Sequence, residues 1–101
     1  MFCASVVYQA HENGSFDFNY FAGRHAPLFA RLLGENCVRY EVHQGLDTPG
    51  APPAPFLGAA YFWVTSAEEF GATLAEHGEE LYADIPEFSD HQPVRGWAMV
   101  V

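Results

Sequence analysis

The sequence predicts a single α+β domain with its segments in the order β-α-β-β-α-β, and two observations support this fold class. Four stretches rich in β-branched and aromatic residues are interspersed with two stretches whose apolar residues recur at helical spacing. The chain has 101 residues, of which 50% are hydrophobic, and this length suits one domain over residues 1–101. Segments in this order form a four-stranded antiparallel sheet with two helices on one face.

The first half of the chain predicts a strand, a helix and a second strand. Residues 2–9 (FCASVVYQ) are apolar and rich in strand-forming residues. After the polar turn HENGS, Ser15 or Asp17 can cap a helix over residues 17–33, in which apolar residues recur at the spacing i, i+3, i+4, i+7. Residues 37–45 alternate in a way that is typical of a strand with two different faces.

The second half of the chain predicts a long loop, a strand, a helix and a last strand. Residues 46–55 contain four prolines, so they can form neither a helix nor a central strand, and we expect a mobile connection. Residues 56–64 (FLGAAYFWV) form a near-continuous apolar strand. Ser66 can cap a helix over residues 67–77, and EELYADI can add a short second helical piece. Residues 93–101 form the last strand.

Two of the predicted strands, residues 56–64 and 93–101, are apolar on both of their faces. Two helices can cover only one face of a four-stranded sheet. The other face therefore needs cover that the predicted elements do not supply. We predict that a second copy of the chain supplies it, in a two-fold homodimer that packs sheet against sheet.

Composition and charge narrow the function classes. Four Lys and Arg residues stand against thirteen Asp and Glu residues, a formal net charge of -9, which argues against nucleic acid or an anionic membrane as a partner. No apolar run reaches the roughly 18 residues of a membrane-spanning helix, and no signal peptide is recognisable. Cys3 and Cys37 have no partner at metal-ligand spacing, and there is no glycine-rich phosphate loop. We therefore expect a cytoplasmic protein that uses neither a metal nor a cofactor.

The stretch GRHAPLF, residues 23–29, interrupts the first predicted helix on its apolar face. Pro27 has no N–H to donate to the carbonyl of Gly23, so the helix should bend or break there. In one interpretation, Gly23 allows close approach and the break opens a polar spot in an apolar pocket. Burial would then lower the pKa of His25 and keep it neutral, as suits a general base. In the other interpretation, His25 is a core histidine bonded to a backbone carbonyl.

Three stretches, FDFNYFAGRHAPLF, VRYEVHQG and YADIPEFSD, together resemble the EthD family. The matching positions are Asp17, Tyr20, His25, Pro27 and Leu28, followed late in the chain by Ala83, Asp84, Ile85, Pro86 and Phe88. The resemblance implies a ferredoxin-like protomer that forms a dimeric α+β barrel. EthD proteins are associated with ethyl tert-butyl ether degradation. Wider relatives of this barrel include cofactor-free monooxygenases, polyketide cyclases, dehydratases and haem-degrading enzymes.

Several further residues are candidates for a site around His25. Asp84 can orient His25, as acids orient imidazoles in many sites, or it can cap a turn before Pro86. Tyr20 and Tyr40 can donate a hydrogen bond to a substrate oxygen, or they belong to the aromatic core. The predicted pocket lining, whose members can equally be core or interface, is Tyr20, Phe21, Tyr40, Trp63 and Phe88.

These patterns predict a small homodimer that acts on or binds a small hydrophobic or aromatic molecule. We expect cofactor-free acid–base or oxygen chemistry of the monooxygenase, cyclase or dehydratase kind, in which His25 moves a proton. Two alternatives stay open at this point. One is a non-catalytic carrier or sensor of small apolar ligands, and the other is a haem-handling barrel protein with a histidine as axial ligand.

Overall fold

A computed structural model describes residues 1–11 and 14–101, and in it the strands form one antiparallel sheet. The strands are β1 (Phe2–Gln9), β2 (Cys37–Gln44), β3 (Phe56–Val64) and β4 (Val94–Met99). Their order in the sheet is β2-β3-β1-β4, so that β1 lies between β3 and β4. The predicted fold class is confirmed. Residues 12 and 13 of the predicted turn HENGS lie outside the described residues.

The first helical segment has three consecutive parts, and the second is a single long helix. The parts of the first are α1 (Phe18–Tyr20), a π turn (Phe21–His25) and α2 (Ala26–Leu33). The second, α3 (Ala67–Asp84), is followed by a 3-10 turn (Ile85–Glu87). Within the described ranges, no helix is both long enough and apolar enough to cross a membrane.

Both helical segments begin at the predicted caps. Asp17 Oδ1 accepts the backbone N–H of Tyr20 at 3.1 Å, and Ser66 Oγ accepts that of Glu69 at 3.1 Å. Each bond satisfies one of the N–H groups that a helix start leaves without a partner. These caps fix where the two segments leave the sheet.

The helix α3 differs from the prediction because it continues through Asp84 instead of stopping near residue 77. Its buried stripe runs from Phe70 and Leu74 through Leu81, and Ile85 in the following turn extends it. These residues recur at the spacing of one helix face, so EELYADI continues the same helix against the core. As a result, Asp84 lies at the end of a helix of 18 residues.

The core lies between the sheet and the two helical segments. Across the ladders, Ala4 of β1 faces Phe62 of β3 and Trp97 of β4, so these three residues share the face that the helices cover. The buried core side chains are Ala4, Tyr8, Phe21, Ala26, Phe29, Leu33, Ala60, Phe62, Val64, Leu81, Ile85 and Phe88.

The opposite face of the sheet carries the other half of the strand residues. Val7, Tyr61 and Trp63 on this face are half-buried, and the Arg39 guanidinium lies 4.0 Å from the centre of the Trp63 ring system. The loop between β2 and β3 is exposed, and Asp47 Oδ1 in it accepts the N–H of Ala54 at 2.7 Å. The homodimer predicted from this face stays a prediction.

Candidate active site

The predicted interruption of the first helix is present as a π turn. In this turn the N–H of Ala26 donates to the carbonyl of Phe21, five residues earlier, in place of the usual four. Pro27 follows directly and supplies no N–H, so it is tolerated at the start of α2. Gly23 is exposed, and a Cβ there would meet no described atom within 4 Å outside its own helical segment, so no other backbone approaches it closely as expected; its expected role beside a ligand stays a prediction.

The π turn directs His25 into the core, where it meets Asp84. His25 is 4% exposed. Its Nδ1 lies 2.8 Å from Asp84 Oδ2, and the Tyr20 hydroxyl donates to Asp84 Oδ1 at 2.7 Å. Asp84, at the end of α3, therefore binds two residues of the first helical segment that are far from it in sequence. The Asp84 side chain forms no capping hydrogen bond with the 3-10 turn that precedes residue 88. Of the two contacts predicted for Asp84, the structure therefore contains the bond to His25 and lacks the cap.

The protonation state of His25 follows from these contacts. Burial lowers the pKa of His25 from its ordinary 6.5, and the hydrogen bond to Asp84 and the charge of Asp84 oppose that change. The imidazole is therefore neutral near neutral pH. An ionised carboxylate only accepts hydrogen bonds, so the proton of the neutral ring is on Nδ1. Nε2 then carries a lone pair, and it is the ring nitrogen left for a ligand.

His25 forms part of the wall of a cavity of about 260 Å³ between the helices and the sheet. Its lining residues come mainly from β1, β3, α2, α3 and β4, and the exposed ones, which form the rim, are on α3 and β4. The residues that line the cavity include Tyr8, His25, Phe62, Tyr82, Arg95 and Trp97. Most of the surface of the cavity is apolar, which is the ordinary character of a site for a small hydrophobic ligand.

Tyr8 is a cavity residue that the sequence interpretation missed. It is 2% exposed, and its ring packs against Phe21 at 5.2 Å and Phe88 at 5.3 Å between centroids. Among the described residues, none forms a hydrogen bond with its hydroxyl. Burial raises the pKa of Tyr8, so the hydroxyl keeps its proton and can donate it in a hydrogen bond. The alternation in FCASVVYQ places Tyr8 on the buried face of β1 and was the available signal.

The other predicted pocket residues lie in three different places. Phe88 and Phe21 pack around His25, with ring centroids 4.6 Å and 6.2 Å from the imidazole. Tyr20 reaches the site through Asp84. Tyr40 stacks on Phe62 at 5.7 Å from β2, and Trp63 lies on the opposite face of the sheet. The structure therefore gathers Tyr20, Phe21 and Phe88 around His25, but none of the five residues predicted to line the pocket is among those that line this cavity.

Metal ligation has little support in the described part of the chain. Over residues 1–11 and 14–101, no group of three or more His, Cys, Asp or Glu side chains lies close enough together to hold an ion. Cys3 and Cys37 are both free thiols. What the site offers is a neutral imidazole, a carboxylate behind it and a tyrosine hydroxyl, which together suit proton transfer.

Comparisons with known proteins agree with this architecture. The family model of the EthD domain matches residues 15–92. An EthD-like protein from Ralstonia eutropha is 37% identical, with a TM-score of 0.89 over 99% of this chain and 91% of that chain. An ethyl tert-butyl ether degradation family protein from Bacillus halodurans is 13% identical, with a TM-score of 0.74 over 100% and 99% of the two chains.

A further structural neighbour has a described activity. SnoaB from Streptomyces nogalater, a cofactor-independent oxygenase whose structure is that of a mutant form, is 18% identical, with a TM-score of 0.60 over 98% of this chain and 89% of that chain. At this identity the likeness concerns the fold. A search among curated proteins found no match.

Proposed function

Because the chain belongs to the EthD domain family, we propose that it is a cofactor-free enzyme that removes a proton from a small hydrophobic or aromatic molecule. The observation that carries this proposal is the hydrogen bond that His25 Nδ1 donates to Asp84 at the wall of an apolar cavity. A base needs a lone pair that faces the substrate and a partner that stabilises the cation formed. His25 Nε2 and Asp84 supply these two parts.

The proton transfer uses His25 in its neutral form. Nε2 takes a proton from an activated C–H or O–H group of the ligand, and the resulting imidazolium is stabilised by the Asp84 carboxylate at 2.8 Å. Tyr20 donates to the second oxygen of Asp84 and so holds the carboxylate in its orientation. Tyr8, in place of the expected Tyr20 or Tyr40, donates to the ligand oxygen that gains negative charge.

Oxygen is the proposed co-substrate of the deprotonated ligand. Once the ligand has lost a proton, its electron-rich carbon can transfer electrons to O2 and form a bond to one oxygen atom, and the other oxygen leaves as water. In this way a CH2 group and O2 become a C=O group and water, so the ligand itself supplies the electrons. The fold likeness to a cofactor-independent oxygenase supports this continuation. Without oxygen, the same proton transfer supports an isomerisation, cyclisation or dehydration.

We include a homodimer and a cytoplasmic location in this proposal. The half-buried Val7, Tyr61 and Trp63 on the uncovered sheet face support pairing of two copies through that face. The two free thiols support a reducing compartment. Native mass spectrometry of the purified protein tests the dimer, and a Tyr61→Lys variant should shift the mass to that of a monomer.

The proposed chemistry can be tested with 2-tetralone, a bicyclic ketone with acidic protons next to its carbonyl. Proton NMR in D2O follows the replacement of those protons by deuterium, a reaction that needs a base and no oxidant. We expect the wild-type protein to accelerate the exchange, and His25→Gln to slow it by about 10²- to 10⁴-fold. Gln keeps an amide N–H for Asp84, so the variant should fold.

The control is His77→Gln, because His77 is a surface histidine that pairs with Glu80 at 2.7 Å and does not line the cavity. This variant should exchange as fast as the wild type. Equal exchange in the wild type and in His25→Gln would overturn the proposed base. Tight binding of 2-tetralone without exchange would favour the carrier or sensor, and oxygen uptake in the same samples separates oxygenation from proton transfer alone.

A further inference from the structure

The rim of the cavity carries a guanidinium that the proton-transfer chemistry does not use. Arg95 is exposed and lies on β4 opposite Val6 of β1, so its side chain is on the helix-covered face and lines the cavity. Of the described residues that line the cavity, Arg95 alone carries a permanent positive charge. In a chain with four Lys and Arg residues, the position of such a charge at the opening of an apolar cavity is informative about the ligand.

Contacts within the chain hold the Arg95 side chain at the rim but do not neutralise it. The guanidinium lies 4.9 Å from the centre of the Tyr82 ring, and Nη2 donates to Gln92 Oε1 at 3.2 Å. Among residues 1–11 and 14–101, no carboxylate forms an ion pair with it. A guanidinium has five N–H donors, so most of its donors remain for a ligand. The stack on Tyr82 orders the long side chain before a ligand arrives.

We propose that the ligand is a hydrophobic ring compound with one carboxylate, which Arg95 binds at the rim while the ring enters the cavity towards His25. This inference rests on the proposed function, since it names the substrate class of the same site. The fork of a guanidinium matches the two oxygens of a carboxylate. The opposite orientation would bring the carboxylate towards Asp84, and two like charges at close range repel each other.

The size and charge of the molecule fit this ligand class. The cavity volume of about 260 Å³ is slightly below the roughly 300–1,000 Å³ of pockets for drug-sized ligands, so one or two rings fit. The formal net charge of -9 on the protein would repel an anionic ligand, but salt screens charges that are more than about 8 Å away at physiological ionic strength. Arg95 contacts the carboxylate directly and therefore decides its binding.

The test is isothermal titration calorimetry with two matched probes, 2-naphthoate and its neutral analogue 2-naphthamide. We expect the wild-type protein to bind 2-naphthoate about tenfold more tightly, as is ordinary for one hydrogen-bonded charge pair. Arg95→Gln should reduce this preference to less than about twofold, and Arg95→Lys should keep an intermediate preference because it retains the charge without the fork. The preference of the wild type should also fall as sodium chloride is added.

The matched control is Arg31→Gln, which removes the same charge from an exposed position on α2 away from the cavity. It should bind both probes as the wild type does. A wild type that binds both probes equally or binds neither, or an Arg95→Gln variant that keeps the preference, would overturn the proposal. Binding is measured here without turnover, so a failure concerns the proposed ligand class and its contact with Arg95, whereas the exchange experiment with His25→Gln concerns the base.

Discussion

Replacing Asp84 with Asn separates the charge of the site from its shape. The amide has the size of the carboxylate and can still form one hydrogen bond with His25 and one with Tyr20, because it has an acceptor oxygen and a donor nitrogen. What it loses is the negative charge 2.8 Å from the imidazole. The variant therefore tests whether that charge stabilises the protonated form of His25 during the reaction.

The expected effects can be worked out from the geometry. A nearby opposite charge favours an ionised group by about 1–3 pKa units, and each unit is a factor of ten in the stability of the imidazolium. Deuterium exchange from 2-tetralone should therefore fall by about 10- to 10³-fold. A hydrogen bond to a charged group exceeds a neutral one by about 1 kcal/mol, which for a domain of this size lowers the melting temperature by about 4–8 °C.

The control for this variant is a second histidine–carboxylate pair, which lies on α3, the helix that carries Asp84. His77 Nδ1 lies 2.7 Å from Glu80 Oε1, but the Glu80 side chain is 52% exposed against 18% for Asp84. Glu80→Gln should shift the melting temperature by less than about 4 °C, since exposed pairs within a helix contribute about 0.3–0.5 kcal/mol and each kcal/mol corresponds to about 4–8 °C. Differential scanning calorimetry measures the melting temperatures of the two variants, and the exchange assay measures their rates. An Asp84→Asn variant that melts and exchanges like the wild type would refute the reasoning.

Three further predictions concern the pH dependence of stability and the substitution of two glycines. Burial lowers the pKa of His25 below 6.5. At pH values between that lowered pKa and 6.5, His25 therefore binds a proton in the unfolded chain but not in the folded chain. Urea unfolding should therefore show stability falling as the pH drops below 6.5, with a smaller fall in His25→Gln, and an unchanged slope in the variant would contradict this. Gly23→Ala should raise stability by about 0.5–1 kcal/mol because its Cβ meets open space. Gly45→Ala should lower it by about 1–3 kcal/mol because its Cβ would collide with the Phe56 carbonyl; thermal melts giving the two variants the same sign would contradict both.

Local signals predicted the elements of the fold and the inward direction of His25. Three local signals can be seen in the sequence because each acts over a few residues. They are the caps Asp17 and Ser66, the helical spacing of apolar residues in the segment that follows each cap, and the alternation in the strands. Pro27 gave the position of the helix interruption. The form of that interruption, a π turn, depends on how the turn packs on the core, which a local pattern does not encode.

The arrangement of the site depended on contacts between distant segments. Asp84 meets His25 only because α3 continues without a break, and the sequence suggested two shorter pieces. Tyr8 and Arg95 were missed because a strand tyrosine resembles core and a strand arginine resembles solvent-exposed polar alternation. Trp63 is of a residue type that is common in apolar pockets, but strand alternation places it on the sheet face that the helices do not cover.

The central claim is that neutral His25 is the base in the cavity, and the pH dependence of deuterium exchange from 2-tetralone tests it most directly. Since Nε2 must be unprotonated to accept a proton, the rate should rise with pH and level off, with its inflection below 6.5. That inflection should be absent from His25→Gln. An inflection at or above 6.5, or the same profile in wild type and variant, would contradict the account.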